Sequence, residues 1–198
     1  MTPPQLKVIT PPTSEPITIE EAKDHMRVTL DDDDYLIAQY IAEARGWFER
    51  QYDYTIYETT YEVAFQRFPT GSTPLELPRA TPLVSVTSVK YTDSDGTETT
   101  WSSDEYVLDL YGYPGNLRPA YNESYPSFTA YPVNPILVRY TAGSTAIRED
   151  LKGIIRLLVA GKYENRESES VVPGTMTTLA LRYGVDVMAR QFISKYVF

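Results

Sequence analysis

The chain contains no cysteine in 198 residues. That excludes disulfides, thiolate metal sites and cysteine nucleophiles, and it suits a protein made inside a cell. Histidine is almost as scarce. His25 is alone, between Asp24 and Met26, and one imidazole makes neither a histidine-based metal site nor a serine–base pair without partners. It reads as a structural or solvent-facing residue. Glycines are scattered, with no phosphate-cradling cluster. Gly71-Ser72 and Gly143-Ser144 are turn signals. No apolar run reaches membrane-spanning length; the best stretch, Ile154 to Ala160, is short and interrupted by Arg156. The opening Met1-Thr2-Pro3-Pro4-Gln5 has neither a basic start nor an apolar core, so no signal peptide is expected and the protein should be soluble. Basic charge is also short: 18 Lys and Arg stand against 27 Asp and Glu, a net charge of −9. This argues against affinity for a nucleic-acid backbone. It does not argue against a protein that DNA passes through without sticking.

Tyrosine and proline are plentiful instead, at 17 and 15 residues. They point to loops with aromatic contact surfaces, often interfaces. The length suits one domain or slightly more, enough to bury roughly 70% of the unfolded surface without staples.

Residues 1–16 are proline-rich and read as an extended arm. Thr18 is a good N-cap with Glu21 at the capping-box spacing, so a first helix is expected from Thr18 to about Arg27. Asp31-Asp32-Asp33-Asp34 opens a second helix running to about Tyr52, where negative charge complements the exposed N–H groups and the positive dipole end. Its stripe is Leu36, Ile37, Tyr40, Ile41, Ala44, Trp47 and Phe48. The four aspartates could also ligate calcium, but the EF-hand spacing fails: Leu36 stands where glycine is needed and Ala42 where glutamate is needed.

The period then drops to two. Tyr57, Thr59, Tyr61, Val63 and Phe65 share one face of a strand. Further strands are expected at Leu75–Leu77, Val84–Tyr91, Thr97–Trp101, Tyr106–Leu110 and Ile136–Tyr140, with Asp93-Ser94-Asp95-Gly96 as a hairpin turn. Between the last two lies a Tyr/Pro-rich loop, 111–135, too long to be an ordinary connection. It either packs its tyrosines onto the sheet or is an interface ordered by a partner. Tyr111, Tyr113, Tyr121, Tyr125 and Tyr131 are its candidate contact residues. A helix returns at about Glu149 with Leu151, Ile154, Ile155, Leu158, Val159 and Tyr163 as its stripe. Glu164 to Ser170 is a polar exit, 175–193 carries a weaker helical pattern, and Phe192 to Phe198 is apolar.

The expected fold is therefore α+β: a helical body from N- and C-terminal helices (17–56 and 148–166) with an inserted small antiparallel β-sheet domain (57–147). Pairs of acids such as Glu20 and Glu21 recur, but nothing selects two for glycosidase-type work. No catalytic residue, metal site or cofactor site is assigned. One reading of such a chain is a carbohydrate- or protein-binding module that uses the tyrosines of 111–135 as stacking platforms.

A second reading comes from an ordered set of segments: Pro16-Ile17-Thr18-Ile19-Glu20-Glu21-Ala22-Lys23 and the acidic opening of the long helix; Arg67-Phe68-Pro69; Leu77-Pro78-Arg79; Pro82-Leu83-Val84-Ser85-Val86-Thr87-Ser88-Val89-Lys90-Tyr91; Asp95-Gly96-Thr97-Glu98; Tyr106-Val107-Leu108-Asp109; Val138-Arg139-Tyr140-Thr141-Ala142-Gly143; and Asp150-Leu151-Lys152 leading to Tyr163-Glu164-Asn165-Arg166-Glu167. Over residues 16–167 the chain resembles the head–tail connector (adaptor, or head-completion) proteins of long-tailed bacteriophages and related gene transfer particles, in the branch with a sheet between the helices. The resemblance implies a structural protein without catalytic residues or cofactors. It implies a homo-oligomeric ring, generally of twelve copies, beneath the portal protein. Such a ring extends the DNA channel and offers a platform to a stopper or tail-terminator type neck protein. The location implied is the virion neck, with the host cytoplasm during assembly. Residues 167–198 are then expected to be a portal-docking segment with Phe192, Tyr196 and Phe198 as anchors. Twelve copies would carry a formal charge of about −108, which repels phosphates where acids face the lumen.

Overall fold

The computed structural model describes residues 4–164 and 184–190. Its elements are β1 (Gln5–Thr10), α1 (Ile19–Met26), α2 (Asp34–Gln51), β2 (Thr59–Phe65), β3 (Leu75–Glu76), β4 (Leu83–Thr92), β5 (Glu98–Trp101), β6 (Tyr106–Asp109), β7 (Asn116–Pro119), β8 (Ile136–Ala142) and α3 (Glu149–Glu164). The α+β expectation holds: helices from both ends of the chain flank an inserted antiparallel sheet region. The chain divides into two compact units. One takes Met1–Thr13 and Glu49–Thr145; the other takes Ser14–Phe48 and Ala146–Phe198.

In the helical unit, α1 starts as the sequence dictates. Thr18 Oγ1 accepts the Glu21 N–H at 3.1 Å, and Glu21 Oε2 accepts the Thr18 N–H at 2.9 Å, so two otherwise orphaned donors are satisfied reciprocally. Arg27 closes the helix in the left-handed region, φ 57°. The buried positions of α2 within this unit, Ile37, Ile41, Ala44 and Phe48, step by four, three and four, one stripe of a 3.6-residue helix. Those of α3 are Leu151, Ile154, Ile155 and Val159. Trp47, expected in the stripe, is only half-buried. It stands three residues past Ala44, where the stripe's drift favours Phe48, four past.

The β unit holds two sheets. The larger has the order β1-β2-β8-β4-β5, every neighbour antiparallel. The smaller has the order β3-β7-β6. Alternation reads correctly along β2: Thr59, Tyr61 and Val63 are buried and the residues between them are not. Tyr61 pairs with Tyr140 and Val63 with Val138 across β2 and β8, which stacks core residues on one face. A single apolar cluster then draws on both sheets, with Leu75, Leu117 and Tyr106 of the smaller joining Val63, Val89, Trp101 and Val138 of the larger. Gly143 is fixed by close approach. Its φ is 108°, and a Cβ there would run into the Tyr57 backbone carbonyl.

Three features differ from expectation. The N-terminal arm carries an edge strand, β1, with no fully buried residue. The Tyr/Pro-rich stretch is not one loop, because β7 lies inside it and makes a hairpin with β6. The last turn of α2 belongs with the β unit: the buried Glu49 carboxylate accepts the Ile56 N–H at 3.1 Å, and Thr55 N–H reaches Thr81 O at 2.9 Å. Hydrogen bonds through backbone groups leave no periodic trace in a sequence.

Candidate interface surfaces

The five candidate tyrosines fall into different environments. Tyr125 is core. It is 9% exposed, stacks on Phe68 with centroids 5.2 Å apart, and donates its hydroxyl to Thr73 O at 2.8 Å and Leu117 O at 3.3 Å. Burial pushes its pKa up to about 12. As a contact platform it is therefore withdrawn. It belongs to an aromatic group with Phe68, Trp101 and Phe128, so for this one residue the loop packs onto the sheet. Tyr121 is 92% exposed, in a turn closed by Glu123 N–H on Ala120 O at 3.0 Å. Tyr131 is partly exposed, its N–H bonded to Thr92 O at 3.1 Å.

Tyr111 and Tyr113 share the tip of the β6–β7 hairpin, residues 110–115. The tip is held from several sides. Asp109 Oδ1 accepts the Tyr111 N–H at 3.1 Å. Tyr113 donates its hydroxyl to Tyr52 O at 2.5 Å. Gly115 N–H reaches Ala80 O at 2.8 Å and its carbonyl accepts Leu77 N–H at 3.1 Å. A Cβ on Gly115 would stand 2.5 Å from Leu83 Cβ, so only glycine allows this approach. With the flanks pinned, Tyr111 stands 96% exposed and Leu110 about half exposed beside it. The sequence marked Tyr111; it missed Leu110, whose exposure follows from the hairpin.

Among the described residues, clefts indent the β unit. One, of about 370 Å³, is lined by Phe68, Gly71, Tyr125, Pro126 and Phe128 among others. The larger, about 660 Å³, lies by the end of β2 and β3 and is lined by Pro4, Phe65, Pro69, Pro74 and Leu75 together with the polar Gln66, Arg67 and Glu76. Arg67 lines both.

The aspartates that open α2 do more than complement its dipole. Asp31 and Asp34 clamp Lys23 at 2.5 and 2.8 Å and raise its pKa, the Asp31 hydrogen bond contributing most. Asp33 accepts the Tyr163 hydroxyl at 2.6 Å. Among the described residues no group of three or more His, Asp or Glu is arranged to hold a metal ion, and none of the helices is long and apolar enough to cross a membrane. His25 is exposed.

Residues 184–190 are helical, within the span where a weak helical pattern was expected, and Val185 and Ala189 there are buried within the chain. The remainder of 167–198, with Phe192, Tyr196 and Phe198, lies outside the described residues.

The α+β fold thus presents exposed aromatics on a pinned hairpin, apolar clefts, and ion pairs between helices. Residues 16–113 match the family model of phage gp6-like head–tail connector proteins. Solved structures carry the similarity over nearly the whole chain. A chain from the neck of an empty gene transfer agent particle, computed with C6 symmetry, is 20% identical with a TM-score of 0.74, covering 94% of each chain. A chain from the virion of a native gene transfer agent particle is 21% identical with a TM-score of 0.73, again covering 94% of each. A third, from the neck of the native particle computed with C12 symmetry, is 19% identical with a TM-score of 0.72, covering 94% of this chain and 93% of that one. No curated protein matches the chain by sequence.

Proposed function

We propose that this protein is a structural, non-enzymatic component of a virion neck. It forms a ring beneath the portal protein, extends the DNA channel, and joins the DNA-filled head to the tail or to a stopper or tail-terminator type neck protein. The observation that carries this reading is the match of 94% of the chain to neck subunits, with the connector family match over residues 16–113. Twelve copies is the number favoured, since one similar neck was computed with C12 symmetry. The net charge of −9 per copy then becomes a lubricant: acids lining the lumen repel phosphates, and the duplex slides without being held.

On this reading Tyr111, Tyr113, Tyr121 and Tyr131 are contact residues of the ring or its next neighbour. Residues 167–198 dock on the portal through Phe192, Tyr196 and Phe198. The protein waits in the host cytoplasm and ends in the neck. An acidic subunit repels its own copies, so the ring closes on the portal as a template and associates weakly without it. Cryo-electron microscopy of particles carrying this protein tests the proposal. Ring density for the chain beneath the portal is expected; particles whose necks lack it would remove the proposal.

A further inference from the structure

We propose that neighbouring copies of this chain interlock through the β unit, with Tyr111 and Leu110 of one copy seated in the 660 Å³ cleft beside β3 of the next. Knob and hole are separate places on the β unit: the tip of the β6–β7 hairpin and the cleft beside β3. The order β3-β7-β6 puts the cleft-lining β3 at one edge. Strand β6, which leads into the Leu110–Tyr111 tip, is at the other. A knob and a hole built from different residues of one subunit make a head-to-tail contact, and head-to-tail contacts close into rings when the rotation allows.

The chemistry of each side suits the other. Tyr111 is almost wholly exposed, yet its backbone is fixed through Asp109 and Gly115. A large aromatic displayed on a rigid support loses little entropy on docking, which is what an interface anchor needs. The cleft presents Pro4, Phe65, Pro69 and Leu75, an apolar lining of ligand-pocket size. Within this lining the Arg67 side chain has no hydrogen-bond or ion-pair partner among the described residues. A mostly apolar slot that also carries the Arg67 guanidinium and the Glu76 carboxylate in its lining fits a side chain with an apolar body and a hydroxyl tip, namely tyrosine, which either group can meet by hydrogen bond and the guanidinium also over the ring face.

The proposed ring supplies the reason for the repeat, but the contact is tested on the purified full-length protein. The chain has no cysteine, so every crosslink is attributable. Leu110→Cys is mixed with Thr73→Cys, which places a thiol beside the cleft, and a short bismaleimide is added. The control pairs Leu110→Cys with Ser94→Cys in the β4–β5 turn. About tenfold more covalent dimer than the control is expected, from the raised effective concentration of docked thiols. Adding Tyr111→Ala should bring the yield down to the control, and Tyr111→Phe should keep most of it. Equal yields in test and control pairs, or no response to Tyr111→Ala, overturn the interlock and leave the neck reading standing. Absence of the protein from particle necks with specific crosslinking intact removes the neck reading and leaves the interlock. Crosslinks from Leu110→Cys that go only to another virion protein in assembled particles also overturn it.

Discussion

Lys152 Nζ lies 3.2 Å from Glu21 Oε1, joining α3 to α1 across 131 positions of sequence. Everything between them includes the whole β insertion, so this pair marks where the chain returns to its helical unit. The same carboxylate caps α1 through Thr18 N–H and lies 3.7 Å from Arg156. Its pKa is lowered, first by the Thr18 N–H and then by Lys152 and Arg156 against a partial desolvation. A depressed carboxylate pKa contributes stability that is present above the ordinary glutamate range and lost as pH falls through the lower, folded value. Glu21→Gln keeps a cap acceptor for the Thr18 N–H but removes the part-exposed ion pairs, so it should cost about 0.5–1 kcal/mol at neutral pH, and should flatten the acid limb of the stability profile. Denaturant titrations at pH 7 and pH 3 check both. An unchanged acid limb would show that Glu21 does not carry this linkage.

Local rules were legible in the sequence where a residue acts through its own neighbours. Thr18 and Glu21 wrote the capping box, and Tyr61 and Val63 wrote the core face of β2. What escaped depended on contacts distant in the chain. The burial of Tyr125 is set by Thr73, Leu117 and Phe68, and no spacing rule distinguishes it from the exposed Tyr121. Strand β1 was hidden because an edge strand needs only one partner and no buried face, and its burial pattern has no period of two. The interface surfaces were half legible: Tyr111 stood out as an aromatic, whereas the cleft beside β3 exists only once β1, β2 and β3 are assembled.

Helix α2 offers a contrast between neighbours. Phe48 is fully buried and Trp47 is not. Phe48→Ala should cost about 3–5 kcal/mol, the usual range for deleting a buried aromatic. Trp47→Ala should cost clearly less, because part of its ring already faces water in the folded state. Paired urea melts give the ordering directly. Equal losses would mean that Trp47 contributes packing beyond its burial.

Alkaline stability should be limited by the β unit. Burial pushes Tyr125 from an ordinary 10.0 up to about 12 and raises Tyr106 and Tyr140 as well. A raised tyrosine pKa means that the folded state keeps the proton the unfolded chain gives up. Its contribution is intact below pH 10.0 and is lost between there and about 12. Tyr125→Phe should lose about 1 kcal/mol at pH 8, since Thr73 O and Leu117 O forfeit a donor. It should in turn lose less than the parent between pH 9 and pH 11. Thermal melts across that range decide it; a variant that follows the parent's alkaline slope would place the lability elsewhere.

The C-terminal segment separates assembly from folding. Val185 and Ala189 are buried within the chain, so the cut is placed after residue 190 to keep both. The apolar residues that follow, Phe192, Ile193, Tyr196, Val197 and Phe198, are proposed to act on the portal, where aromatic anchors carry most of an interface's energy. Removing 191–198 should then leave the melting temperature within a few degrees of the parent, a change of about 1 kcal/mol or less. The same truncation should stop the protein from joining DNA-filled heads in a complementation assay. Phe192→Ala with Tyr196→Ala in the intact chain should give the same loss of attachment in milder form, which guards against an effect of length alone. If the truncated protein melts well below the parent while its folded fraction still attaches, these residues complete their own subunit, and the portal contact must be made elsewhere.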